Sequence, residues 1–206
     1  MFFMNDEKIL NFIVDLLKKQ NFSLNNKNKD GRINSANSES IIIKQISDND
    51  EFKRFLTKNN LIAKIPNIRE WYDFLLFNED KTIFCPINIK ISNLNLNSSD
   101  NLNCKIGMYF CLTGKIPAFS NEINWSNFLI KLYSNMEGNN RDYYFLVINK
   151  ENNRDIFFNS LKKLYELNPN GNNLPFQCVW NKNREKVNRT YEESKKLHYE
   201  KFLQKC

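Results

Sequence analysis

Two apolar runs joined by a short polar link, Trp71 to Phe77 and Ile83 to Ser92, constrain the fold of this chain more than any other stretch. Trp71-Tyr72-Asp73-Phe74-Leu75-Leu76-Phe77 is aromatic and aliphatic apart from one carboxylate, the composition of a mostly buried strand. Asn78-Glu79-Asp80-Lys81 is a cluster of turn formers, and the run that follows it is β-branched. Side chains alternate along a strand, so Ile87, Ile89 and Ile91 take one face, towards a core, while Asn88 and Lys90 share the other. A hairpin of the two strands brings Asp73 level with Asn88 and Lys90. It collects a carboxylate, an amide oxygen and an ammonium in one place.

Those residue types suit hydrolysis of a phosphodiester. Mg²⁺ takes oxygen ligands and keeps several waters, which leaves it able to engage a substrate phosphate. A lysine beside it can orient the attacking water or stabilise charge growing on phosphorus. The plainer reading makes Asp73 a strand-end acid and Lys90 an edge-strand charge placed against aggregation.

Asp73 followed, fifteen residues on, by Asn88-Ile89-Lys90 resembles the active-site hairpin of the PD-(D/E)XK nucleases, in particular type II restriction endonucleases of the EcoRV-like kind. In that family the first acid ends one strand, a second acid and the lysine lie on the next, and all three face a Mg²⁺ site. Tyr72 stands here where the family has proline, and Asn88 where it has the second acid. The resemblance implies an α/β fold with a restriction-endonuclease-like core, a mixed central β-sheet flanked by helices. It implies a catalytic set of Asp73, Asn88, Lys90 and Glu39, with Mg²⁺ held by Asp73, Glu39 and Asn88. It further implies cleavage of double-stranded DNA at a short specific sequence, a homodimer if that sequence is a palindrome, and a cognate DNA methyltransferase in the same system.

Glu39 enters because members of the family can recruit a carboxylate from another element. Ser35 to Ile46 reads as a helix capped by Ser35 or Asn37, with Ile42, Ile43 and Ile46 facing a core and Glu39 near its start. A glutamate on the helix before the active-site strands often reaches the metal in the resembling nucleases; a first-turn glutamate favoured by the helix dipole is the other reading. Asp100 is a second candidate for the missing acid. Ser99-Asp100 also reads as the N-cap pair of a helix through Leu112 that stops at Gly114, and capping explains it more simply.

Composition limits the alternatives. A chain of 206 residues with 41% hydrophobic, 26% charged and 14% aromatic residues is a folded globular chain, expected to form one domain. Its net charge of +7 favours a polyanionic partner, and nucleic acid ahead of a membrane surface, because no basic amphipathic helix or lipidation signal stands out. A merely soluble basic protein is the alternative. Five cysteines without C-x-x-C spacing suggest reduced thiols and neither zinc nor a disulfide framework. One histidine, His198, argues against a His-centred triad or a multi-His metal site. MFFMNDEK lacks the basic start and apolar stretch of a signal peptide, and no apolar run approaches a membrane span; a soluble cytoplasmic protein is expected.

Elsewhere the pattern predicts helices over Asp6 to Gln20, from a cap at Asp48 or Asp50 to Asn59, over Asn124 to Tyr133, Arg154 to Leu167 and Thr190 to Gln204. Strands are predicted over Leu61 to Ile65, Tyr143 to Ile148 and Phe176 to Trp180, with a polar exit at Asn93 to Asn97 and a turn at Asn168 to Asn173. The segment 168–206 reads as a DNA-recognition and helical extension. Within it Gln177, Asn181, Asn183, Arg184 and Arg189 are residue types that read base edges, and Lys182 and Lys186 types that hold phosphate. A solvated polar loop is the other reading. Two further functions stay open: a DNA-binding or regulatory protein that has lost catalysis through Asn88, and a structure-selective repair nuclease.

Overall fold

The structure, a computed structural model, describes residues 4–24, 31–66, 70–94, 99–102, 104–169 and 176–203. In chain order its elements are α1 (Asp6–Lys19), α2 (Gly31–Ser47), α3 (Asp50–Lys58), β1 (Ile62–Lys64), β2 (Phe74–Phe77), β3 (Phe84–Ser92) and β4 (Asp100–Leu102). They continue as α4 (Lys105–Thr113), α5 (Trp125–Tyr133), β5 (Tyr144–Asn149), β6 (Ile156–Ser160), a 3₁₀ turn (Leu161–Lys163), β7 (Asn168–Pro169), β8 (Phe176–Cys178) and α6 (Tyr191–Leu203). The fold is α/β, with a mixed five-stranded sheet in the order β1-β2-β3-β5-β6 and a three-stranded sheet in the order β4-β8-β7. The chain divides into two compact units. The first holds α1 to α3, β1 to β3 and nearly all of β5 and β6; the second holds Trp71, β4, α4, α5, the 3₁₀ turn, β7, β8 and α6.

In the first unit, α1 begins where Asn5 Oδ1 accepts the Lys8 N–H at 3.0 Å, with Asp6 and Glu7 in its first turn and Lys18 and Lys19 in its last, as the helix dipole favours. Ile9, Leu10, Ile13, Val14, Leu16 and Leu17 form its buried stripe. Phe12 stacks on Phe55 of α3 with ring centroids 3.9 Å apart. The cap of α3 is Asn49, not Asp48 or Asp50, and it accepts from both Glu51 and Phe52 N–H. The hairpin forms, with Ile87 and Ile89 buried; Ile91, expected on the same core face, is half-buried, while Ser92 is buried. Ile62 pairs with Phe77 and Phe77 with Phe84, all antiparallel, which makes β1 the edge strand. Its turn is closed by side chains: Asn78 Oδ1 accepts the Ile83 N–H at 2.8 Å, Asp80 Oδ1 accepts the Thr82 N–H at 3.1 Å, and Lys81 takes φ 56°.

Three predicted elements are corrected. Ile156 to Ser160 is strand β6, not part of a helix over Arg154 to Leu167. The preceding asparagines close a tight loop in which Asn149 N–H donates to Asp155 O at 3.0 Å and Asn149 Nδ2 to Asp155 Oδ2 at 3.0 Å, so the aromatic run returns beside β5. Asp100 does not cap a helix; it lies in β4 opposite Cys178, and α4 starts at Lys105 after Cys104, which makes no side-chain cap bond. Helix α2 begins at Gly31, so Ser35 and Asn37 lie inside it.

In the second unit, α4 is buried along its whole length. Gly107 lets it approach β5's neighbour closely, because a Cβ there would sit 2.5 Å from Tyr143 Cδ1. Gly114, at φ 68°, ends the helix as expected, its N–H donating to Phe110 O at 2.8 Å. A capping box opens α6: Thr190 N–H donates to Glu193 Oε2 at 2.7 Å and Glu193 N–H to Thr190 Oγ1 at 3.3 Å. β8 stops at Cys178, and Val179 and Trp180 are buried beyond it. Asn95 to Asn97 of the polar exit and Asn170 to Asn173 of the turn lie outside the described residues. Cys85, Cys104, Cys111 and Cys178 are buried free thiols.

Candidate active site

The site is built by the hairpin. The register of β2 on β3 ends with Phe74 opposite Ile87, and Asp73 lies just outside β2, bonded to the residues on either side of Asn88. Asp73 brackets that residue: its N–H donates to Ile87 O at 2.9 Å, and its Oδ2 accepts the Ile89 N–H at 2.7 Å. Strand pairing thus gives way to a side chain at the point where the carboxylate sits. Among the described residues Asp73 Oδ1 makes no hydrogen bond, which leaves one oxygen for a ligand. Ile87 and Ile89 are buried while Asn88 and Lys90 are half-buried on the opposite face, as period two demands.

Helix α2 packs on β3 through a stripe of Ser38, Ile42 and Ile46, and Glu39 borders that stripe, half-buried. Because α2 starts at Gly31, Glu39 lies in the helix interior, and the first-turn dipole explanation for it falls away. Burial raises the Asp73 carboxyl from 3.8 to about 6; the Ile89 N–H opposes this, the Glu39 charge adds to it, and Lys90 opposes it. The structure therefore brings Asp73, Glu39 and Lys90 into one electrostatic neighbourhood, with Asn88 between the two residues that Asp73 bonds. Among the described residues Asn88 Oδ1 is closed off from solvent with no hydrogen-bond partner. A buried acceptor left unpaired costs about 1–3 kcal/mol.

That donor set fits a hard cation. Asp73 and Glu39 supply carboxylates and Asn88 an unpaired amide oxygen, and Mg²⁺ is usually held by one or two carboxylates plus waters. Among the described residues no group of three or more His, Cys, Asp or Glu that could hold a metal ion is found. His198 is buried in α6 with Nδ1 2.6 Å from Ser194 O, and burial lowers it to about 4.

The residues expected to contact DNA separate into two groups. Asn183 is fully buried; its Oδ1 accepts the Glu166 N–H at 3.1 Å and its Nδ2 donates to Val179 O at 3.0 Å. It holds the turn after β8 and is not a base reader. Arg189 is half-buried and is also engaged within the fold. Its Nη1 donates to Leu164 O at 2.6 Å and its Nη2 to Tyr165 O at 3.2 Å, so the guanidinium ties down carbonyls that follow the 3₁₀ turn. Gln177 is half-buried in the central strand β8, opposite Asn101 and Asn168. Asn181 is exposed and Arg184 half-buried; exposed Lys182 pairs with Glu166 at 3.2 Å. Asp100 belongs to β4 of the second unit. Lys105 is buried, donating to Ile123 O at 2.9 Å with its ammonium 5.3 Å from the Trp125 ring centre.

Sequence reasoning missed the Ile89 N–H as the partner of Asp73. No residue type signals it, because any amino acid at that position offers the same donor. No family model matches the chain, and no curated protein matches it. Among the described residues no helix is long and apolar enough to cross a membrane.

Proposed function

We propose that the protein is a Mg²⁺-dependent endonuclease of restriction type, which hydrolyses phosphodiester bonds of double-stranded DNA at a short specific sequence on a restriction-endonuclease-like core. The observation that carries the reading is the half-buried Asp73 carboxylate, held by the N–H of Ile89, next in the chain to Asn88 and its unpaired oxygen, with Glu39 and Lys90 both acting on its charge. Asp73, Glu39 and Asn88 would hold the ion, which when bound supplies a nucleophilic water at neutral pH and charge neutralisation at the phosphate.

The chain's own residues do the rest. The Ile89 N–H fixes the Asp73 carboxylate and leaves Oδ1 pointing away from the ladder bond. Lys90, a donor with three protons and no acceptor, orients the attacking water and steadies charge on phosphorus. Asn88, neutral where a second acid is usual, leaves Glu39 to complete the negative charge. Exposed Asn181, with Arg184 and Gln177, is the surface that remains for base and phosphate contact. A palindromic site would be met by a homodimer whose two-fold axis matches that of the DNA. An enzyme of this kind works in the cytoplasm beside a methyltransferase that protects the same sequence.

The test is digestion of a large unmethylated DNA with Mg²⁺, set beside Asp73→Ala, Lys90→Ala and a chelator control. Discrete bands that vanish in both variants and with chelator are expected. A smear would point to a nonspecific or structure-selective nuclease. The neutral Asn88 favours one other reading, a DNA-binding protein without hydrolysis; salt-dependent binding with no cleavage would establish it.

A further inference from the structure

A concavity lies wholly within the second unit. It encloses about 320 Å³ and is lined by Glu70, Trp71, Ile106, Pro117, Phe119 and Asn121. Sites for small ligands span roughly 300–1,000 Å³, so this one suits a single flat ring system better than a larger molecule. Its aromatic walls are fixed. Trp71 is held by its carbonyl, which accepts the Tyr143 hydroxyl at 2.6 Å, and its ring lies 5.4 Å from that of Phe110. Phe119 meets Tyr109 edge-on at 4.9 Å, and the Lys131 ammonium lies 5.7 Å from the Phe119 ring centre.

The polar groups of the pocket select among flat ligands. Glu70 is exposed and accepts only, which turns phosphate away and asks for two adjacent N–H donors. Among the described residues Asn121 Oδ1 is closed off from solvent without a hydrogen-bond partner. Its amide also carries donors for a ring carbonyl. Lys131, beside Phe119, stands ready for a phosphate attached to the ring system.

We propose that this pocket takes an unpaired or extruded nucleobase with a guanine-type edge. The base would stack against Trp71 and Phe119, give its N1–H and amino group to the Glu70 carboxylate, and accept an Asn121 Nδ2–H at its ring carbonyl. Stacking on aromatic side chains with hydrogen bonds to the pairing edge is how proteins recognise bases outside a duplex. The pocket deepens the nuclease reading and rests on it only for the source of the base, since Trp71 stands two residues before Asp73 in the sequence.

The experiment is calorimetric titration of the full chain, metal-free with chelator present, with the 5′-monophosphates of guanosine, adenosine, cytidine and thymidine. Guanosine monophosphate binds about tenfold or more tightly than the others, and Glu70→Gln and Asn121→Ala each weaken it about tenfold. Asp73→Ala leaves that binding unchanged. Glu70 is exposed, so Glu70→Gln keeps the fold, which a thermal melt verifies. Equal binding of all four nucleotides, binding of none, or guanine binding indifferent to both variants would overturn the proposal. Failure of the nuclease reading is told apart by the digestion assay: guanine selectivity without cleavage sinks the nuclease alone, and cleavage without selectivity sinks the pocket alone.

Discussion

Replacing Asp73 with asparagine isolates the energetic cost of holding a charge against β3. The substitution keeps the side chain's shape and an oxygen to accept the Ile89 N–H, and removes only the ionisation. Asp73 titrates at about 6 in the fold against 3.8 in the open chain, chiefly because burial disfavours its charged form. Between those values the folded protein binds the proton more tightly than the unfolded chain, so wild-type stability falls as pH rises through that window. Above about 6 the penalty is present in full; below 3.8 both states are neutral and it vanishes. At 1.36 kcal/mol per pH unit the difference corresponds to about 3 kcal/mol, and water reaching the half-buried carboxylate trims it towards about 2 kcal/mol. Asp73→Asn is therefore expected to be more stable than wild type by about 2–3 kcal/mol at pH 7.5, and equal to it near pH 4. Urea unfolding at both pH values, with chelator present, measures this. Adding Mg²⁺ at pH 7.5 then stabilises wild type, by about 2.7 kcal/mol at a hundredfold excess over its Kd, and leaves the variant unmoved. A variant less stable at pH 7.5, or an offset that does not change with pH, would refute the reasoning.

Two other substitutions separate cation binding from fold. Asn88→Asp places a second acid between Ile87 and Ile89, the two residues that Asp73 bonds, so without metal it lowers stability at neutral pH, and with metal it shifts the Mg²⁺ midpoint of thermal stabilisation to lower concentration. An unchanged midpoint would remove Asn88 from the cation site. Asn183→Ala strips the Glu166 N–H and the Val179 carbonyl of their partner and costs about 1–3 kcal/mol of stability, while DNA affinity per folded molecule stays the same. Lost affinity at unaltered stability would restore Asn183 as a contact residue.

What could be read from the sequence, and what could not, follows the range of the interaction concerned. The hairpin was legible because alternation and turn chemistry are local: Ile87 and Ile89 inward, Asn88 and Lys90 outward, and Asn78 and Asp80 closing the link. Helix α1 was legible for the same reason. The segment after Asn153 was misread because Phe157, Leu161 and Leu164 repeat at helical spacing, yet pairing beside β5 overrides the local preference. Asp100 carried every mark of an N-cap, but its partner is Cys178 in β8, and nothing near residue 100 announces that strand.

The charged and amide residues show the same limit more sharply. Arg189 and Asp73 look alike in the sequence, each a polar group whose neighbours suggest chemistry. The fold commits the guanidinium of Arg189 to the carbonyls of Leu164 and Tyr165, whereas Asp73 has one oxygen on Ile89 and the other without a bond. Asn183 and Asn88 divide in the same way, the first satisfied at both ends of its amide and the second left with a buried, unpartnered oxygen. Residue type establishes which atoms could act on a ligand. Only tertiary contacts establish which of them are still available to do so.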